Sequence, residues 1–264
     1  MFELSQPEST EGPLHFPLDG GRDLASTPVI EVTEDGRTLD SLLRICYPVR
    51  PPALDQMWHV EQVLEAATKY QMDWALHSTR EALSRIAEEE PISVYAVACR
   101  YGLHVETSQA AQFSLSLPVT TVIDSLIHEG VAGEPFRVLM KYRSECQAAA
   151  LSATETWLWT INMPKQFWTT HSCCTRTTVR DRTGRVYHVQ PWWIRYITMV
   201  AKALRDTPSE DVVDVREALG LYMSDGRGTC GRCLSVAVDH ITAFATKLSE
   251  EIAEGIAKIP FPSL

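Results

Sequence analysis

The chain has 264 residues, 45% hydrophobic and 22% charged, with 24 Lys and Arg against 34 Asp and Glu for a net charge of −10. This is ordinary globular composition, which excludes a wholly disordered or collagen-like chain. No run approaches the roughly 20 apolar residues that span a membrane, and a net-acidic chain repels phosphate backbones, so neither a membrane nor nucleic acid is an expected partner.

Residues 1–27 are rich in Ser, Pro, Gly and acidic residues and read as a flexible N-terminal segment. They show no basic, apolar leader pattern, so the expected location is intracellular, cytoplasmic or nuclear. Pro28–Val32 is a short β-type run. Leu39, Leu42, Leu43 and Cys46 then follow helical spacing until Tyr47-Pro48 ends the helix. Asp55 is the expected N-cap of a helix whose core face is Val60, Val63, Leu64 and Ala67. The next helix carries Trp74, Leu76, Leu83 and Ile86. Glu88-Glu89-Glu90 reads as a solvated acidic run favourable to the following helix N-terminus. Pro91 opens that helix, Gly102 closes it, and Ile92, Tyr95, Ala96 and Cys99 form its buried stripe. A further helix covers about 104–117 and stops at Pro118.

The second half reads as one long helix over Glu134–Thr154, a non-periodic stretch from Trp157 to Gln190, and two more helices. Phe136, Leu139, Met140, Arg143, Cys146 and Ala150 lie along one side of the first, with Arg143 as the polar intruder. Within the non-periodic stretch, Arg182-Thr183-Gly184-Arg185 resembles a tight turn between short strands. The basic residues Arg176, Arg180, Arg182 and Arg185 read there as a solvated turn in preference to a phosphate-binding patch. Pro191 starts a helix with Trp193, Ile197, Val200 and Leu204 on one face. The last helix, about Cys230 to Lys258, carries Leu234, Val238, Ile241, Ala245, Leu248, Ile252 and Ile256 in steps of four and three. The expected fold class is mainly α with minor β (α+β). The expected organisation is a segment 1–27, a region 28–117, and a helical region 118–264 with a Cys/His-rich loop.

Seven cysteines without a secretion pattern argue against a disulfide framework and for a reducing compartment. Cys46, Cys99 and Cys146 sit in apolar helical patterns and read as small buried hydrophobes. The other four fall in His171-Ser172-Cys173-Cys174 and Cys230-Gly231-Arg232-Cys233, which admit three readings. His171 and Cys174 with Cys230 and Cys233 have the spacing of a structural Cys₃His zinc site, and Cys173 could replace His171 or Cys174. Cys230-x-x-Cys233 at a helix start also resembles a redox dithiol, although no βαβ pattern precedes it. The third reading is small residues packed near a loop. No phosphate-binding Gly-rich loop and no Gly-x-Ser-x-Gly elbow is present.

Ile30-Glu31-Val32 together with Leu39-Asp40-Ser41-Leu42-Leu43-Arg44-Ile45-Cys46-Tyr47-Pro48 resembles the middle of a BTB/POZ domain. Val63-Leu64-Glu65-Ala66-Ala67-Thr68-Lys69-Tyr70-Gln71-Met72 resembles that family's leucine–alanine–alanine…tyrosine helix. Pro91 to Leu103 is similar to the helix that follows the domain in fungal, mushroom-type members. The resemblance covers about residues 28–117. Met1-Phe2-Glu3-Leu4-Ser5 resembles the end of the family's second helix, so the chain reads as an N-terminally truncated member. The resemblance implies a non-enzymatic adaptor or scaffold for protein partners, acting in transcription regulation or ubiquitin ligase recruitment. The family's homodimer is not expected, because the elements that build it would lie upstream. The competing function class is a thiol–disulfide oxidoreductase using Cys230 and Cys233.

Overall fold

A computed structural model describes residues 30–162, 177–224 and 231–262, with the side chains of 161, 162 and 231–236 outside the description. The chain divides into two compact units, Met1–Asp35 and Gly36–Leu264. In the first unit, the described residues form no strand. The β-run expected over Pro28–Val32 is therefore not seen in residues 30–32, and Pro28 and Val29 lie outside the described residues. A strand needs a ladder partner for its backbone groups, and none pairs with 30–32 among the described residues.

The second unit is mainly helical, as expected. Among the described residues it holds ten α-helices and one two-stranded antiparallel sheet. The first five helices are α1 (Gly36–Cys46), α2 (Met57–Lys69), α3 (Asp73–Ile86), α4 (Pro91–Arg100) and α5 (His104–Phe113). A 3₁₀ turn, Ser114–Ser116, follows α5, and then come α6 (Val119–His128) and α7 (Glu134–Glu155). The hairpin β1 (Thr177–Arg180) and β2 (Val186–Val189) precedes α8 (Pro191–Leu204), a 3₁₀ turn Glu210–Val212, α9 (Val215–Ser224) and α10 (Gly231–Ala257). No helix among the described residues is long and apolar enough to cross a membrane.

The predicted face of α2 is the observed one, since Val60, Val63, Leu64 and Ala67 are all fully buried. They share a core with Leu42, Leu83 and Tyr95. Leu64→Ala should cost about 2–5 kcal/mol, the range for emptying a buried leucine site. Urea unfolding measures this, and a loss below about 1 kcal/mol would mean that the site collapses around the truncation.

Helix α1 is rotated by one residue from expectation. Its buried face is Thr38, Ser41 and Leu42, with Ile45 partly buried against the core. Leu43 is 54% exposed, and Cys46 is exposed instead of buried. The reason is polar. Ser41 Oγ lies 3.0 Å from Nε2 of the buried His59, and Thr38 Oγ1 donates to Gln62 Oε1 at 3.4 Å. Those partners let hydroxyls occupy the inner face, where an apolar period would not place them. In α3 the expected Trp74 is 72% exposed, while Ala75, Thr79, Ala82 and Leu83 turn inward. Asp55 is not the cap of α2; Gln56 stands there without a side-chain capping bond.

Gly102 ends α4 as expected. Its φ of +65 is costly for any residue with a Cβ. It sets up paired closing bonds, from Leu103 N to Ala98 O at 2.8 Å and from Gly102 N to Cys99 O at 3.3 Å. Helix α5 stops at Phe113, before the expected end near 117, because the 3₁₀ turn takes over.

Two hydrophobic cores organise the second unit. One gathers α1–α6 and the first half of α7, ending with Leu139, Tyr142 and Cys146. The other gathers Ala150 and Ala153 of α7 with α8, α9 and α10. Helix α7 runs through both, and Ile256 near the end of α10 packs against both. The two helices approach closely, since a Cβ at Gly255 would lie 3.3 Å from the Ala149 carbonyl oxygen. In α10, Ile241, Ala245, Leu248 and Ile252 are buried as expected, whereas Val238 is 55% exposed and Phe244 takes an inner place. The side chain of Leu234 lies outside the described residues.

Candidate functional site

The seam between the two cores is held by Arg143, the polar intruder of α7. It is 3% exposed. Its Nη1 donates to the Ser114 carbonyl, and its Nη2 donates to the Leu117 carbonyl at 2.8 Å and the Asp206 carbonyl at 3.4 Å. These carbonyls belong to the end of the α5 region and to the loop after α8. A planar fork of N–H donors suits several backbone acceptors at once. Burial pushes the guanidinium down to about 10, with Asp206 and Cys146 acting in the opposite direction. The group is thus still charged at neutral pH.

Asp206 completes the staple. Val119 N, at the start of α6, donates to the Asp206 carbonyl at 3.2 Å and to its Oδ1 at 3.1 Å. A carboxylate there suits the positive end of the helix. Gln147 Nε2 donates to the Arg205 carbonyl.

In front of this staple lies a cleft of about 600 Å³. Its floor belongs to the first core: Phe113, Leu115 and Leu117 from one side, Tyr142 of α7 behind, and Ile256 and Ile259 from the end of α10, of which Ile256 also packs against the second core. Its rim carries Glu88, Glu210 and Asp211. Ser209 caps the 3₁₀ turn Glu210–Val212 by accepting from Asp211 N at 3.2 Å, and its Oγ donates to Asp211 Oδ2 at 2.8 Å. Ser116 Oγ donates to the same oxygen at 3.0 Å. Asp211 therefore ties the two 3₁₀ turns together across the cleft wall. Glu88 and Glu210 are exposed. No Lys, Arg or His is among the described lining residues. An apolar floor under a carboxylate rim can take an apolar side chain and attract cations or hydrogen-bond donors.

The hairpin is the expected solvated turn. Asp181 Oδ1 accepts from Thr183 N at 2.9 Å, Thr183 Oγ1 at 2.6 Å and Arg185 N at 3.0 Å. Burial raises the Asp181 carboxyl, but these bonds outweigh it and hold the group below its usual value. Arg182 pairs with Glu155 at 2.6 Å, and Arg180 donates to the Gly184 carbonyl at 3.3 Å. Arg180 thus serves the turn itself, and Arg182 ties it to the end of α7. Arg176 lies outside the described residues.

The expected zinc ligands His171, Cys174 and Cys230 lie outside the described residues, as does the side chain of Cys233. Among the described residues, no group of three or more His, Cys, Asp or Glu is placed to hold a metal ion. Cys146 is buried as expected, and Cys99 is half-buried.

The sequence singles out Glu88, Pro91 and Ile256 of the lining, and Arg143 behind it, only as parts of helices, and none of the other lining residues. The available signal for the wall was Ser209-Glu210-Asp211, a capping serine with acidic residues in the first turn. No protein-family model matches the chain, and neither a curated protein nor a solved structure matches it.

Proposed function

We propose that the chain is a non-enzymatic protein-interaction module, an adaptor or scaffold of the kind that the BTB/POZ resemblance implies. The observation that carries this reading is the seam cleft. Its apolar floor stays open at the surface, and its walls are fixed by Arg143, Asp206 and Asp211. A preorganised concave site of this size, with a few placed polar groups, is the usual form of a binding site. The serines on its wall bond to a carboxylate and to each other, and no imidazole is among the described lining residues.

The test is recovery of complexes from cells that express the full chain. A protein partner should be held at fixed stoichiometry, and the purified pair should bind saturably. Ala257→Trp, placed in the cleft on an exposed position, should abolish that binding while leaving the helical circular dichroism unchanged. The reading fails if no partner is held, or if the variant binds like the parent. Reduction of a model disulfide that Cys230→Ser removes would instead establish the oxidoreductase alternative. The zinc site is proposed on the spacing of His171, Cys174, Cys230 and Cys233 alone.

A further inference from the structure

We infer that the seam cleft takes a basic peptide segment of a partner protein, with a large apolar side chain in the floor and flanking Lys or Arg at the rim. The inference rests on the interaction-module reading and names the chemistry of the partner. Three features of the cleft support it.

The first is charge. The rim presents the carboxylates of Glu88, Glu210 and Asp211, and the described lining offers no cationic side chain to neutralise them. Glu89 and Glu90 extend the acidic edge beyond Glu88 and are exposed. Of the nearby cations, Arg143 is buried behind the wall, with its guanidinium committed to backbone carbonyls and close to Asp206, and Lys258, between the lining residues Ala257 and Ile259, is exposed and outside the lining. The net charge of −10 adds a long-range field of the same sign.

The second is the floor. Phe113, Leu117, Ile256 and Ile259 line one continuous depression. About 600 Å³ lies within the roughly 300–1,000 Å³ range of ligand sites and accommodates a large anchor side chain. Interfaces draw most of their energy from such buried anchors.

The third is rigidity. Asp211 is held by Ser116 and Ser209, so one rim carboxylate is fixed in place before a ligand arrives. Glu88 and Glu210 remain exposed to meet flanking cations. Charge complementarity of this kind sets partner choice and on-rate more than bulk affinity.

The experiment displays a library of random linear peptides to the full chain. Three proteins are compared: the parent, the double variant Glu88→Lys/Glu210→Lys, and Ala257→Trp. The charge reversals fall on exposed residues and spare Asp211, whose bonds hold the wall. Circular dichroism checks that each variant keeps its helices. The expected result is enrichment of peptides with Lys or Arg around a large apolar residue. A synthetic peptide of the enriched consensus should bind the double variant at least about tenfold more weakly, from like charges brought together at the rim. Its binding to the parent should weaken with added salt. Ala257→Trp should also lose the peptide.

Peptides lacking basic residues, yet lost on Ala257→Trp, would overturn the charge inference and leave the interaction reading standing. Peptides that neither variant affects would remove the cleft as their site. Self-association of the chain that Ala257→Trp abolishes would assign the cleft to a second copy and overturn the inference. Recovery of no peptide would also overturn it, while a partner held in the cell-based test would still support the broader reading.

Discussion

Raising the pH above about 10 should unfold the chain steeply, because the phenols of Tyr95, Tyr142 and Tyr196 are buried and neutral in the fold. Tyr95 OH donates to the Pro135 carbonyl at 2.7 Å, and Tyr196 OH donates to the Asp214 carbonyl at 3.1 Å. Burial raises all three well above the ordinary value of 10.0, with added contributions from Cys99, Cys146 and Asp214 respectively. In the unfolded chain these groups lose their protons near 10, while the folded chain retains them. The folded state therefore binds more protons above that pH, and stability falls as pH rises. The stability these groups contribute is fully present below the unfolded value and is lost progressively above it. Each unit of pH in that window costs about 1.4 kcal/mol per tyrosine, or about 4 kcal/mol for three. A domain with the usual ~5–15 kcal/mol would lose its fold within a few units.

Ultraviolet difference absorbance should show the buried phenols ionising only together with loss of helix. Tyr196→Phe should lose about 1 kcal/mol at neutral pH with its hydrogen bond, yet unfold at a higher pH than the parent. Reversible ionisation of every tyrosine with the helices intact would refute this account.

The two cores differ in how openly the sequence displays them. Helices α7, α8 and α10 are long and keep an apolar stripe, so a 3.6-residue period finds them. Their caps are also visible: Pro135 and Pro191 near the first helical positions, as Pro allows. Helix α6 has the sequence VTTVIDSLIH, whose β-branched residues weaken a helical reading. Helix α9 carries Gly220 in its interior, which lowers helix propensity. Neither helix was expected from the sequence. The rotation of α1 has a different origin. The burial of Thr38 and Ser41 depends on Gln62 and His59, which belong to another helix. Apolar spacing contains no information about such a pair.

The cleft was still less legible. Its lining comes from the ends of α3, α5 and α10, from α7, and from the turn before α9. No local motif spans segments so far apart, and most of the residues are ordinary apolar ones. What the sequence did show was the anomaly beneath the site, an arginine on the inner side of a long helix. Such a residue must find acceptors, and the acceptors it finds are the carbonyls that join the two cores.

Replacing that arginine is the second large expected effect. Arg143→Met keeps much of the side-chain volume but removes the donors to Ser114, Leu117 and Asp206. Three carbonyls then lose a bond, but those of Ser114 and Asp206 keep donors in Leu117 N at 3.1 Å and Val119 N at 3.2 Å, so the Leu117 carbonyl is the one left without its described partner, and a buried polar group in that state costs about 1–3 kcal/mol. Partial relaxation and entering water reduce the sum, and Nε, which has no hydrogen-bond partner among the described residues, offsets part of the loss when it is removed. The expected net cost is about 2–3 kcal/mol, at the upper end of what most single substitutions do. Arg143→Lys should recover only part of it, since an ammonium keeps the charge but cannot reproduce the planar fork. Urea unfolding should show a lower midpoint with an unchanged slope, because the surface exposed on unfolding hardly differs. Hydrogen exchange should localise the weakening: the Val119 amide, bonded to Asp206, should exchange faster before the amides of α2 do. If Arg143→Met loses less than about 1 kcal/mol and the Val119 amide stays protected, the seam is held by apolar packing of α7 against α10, and the arginine only fills space.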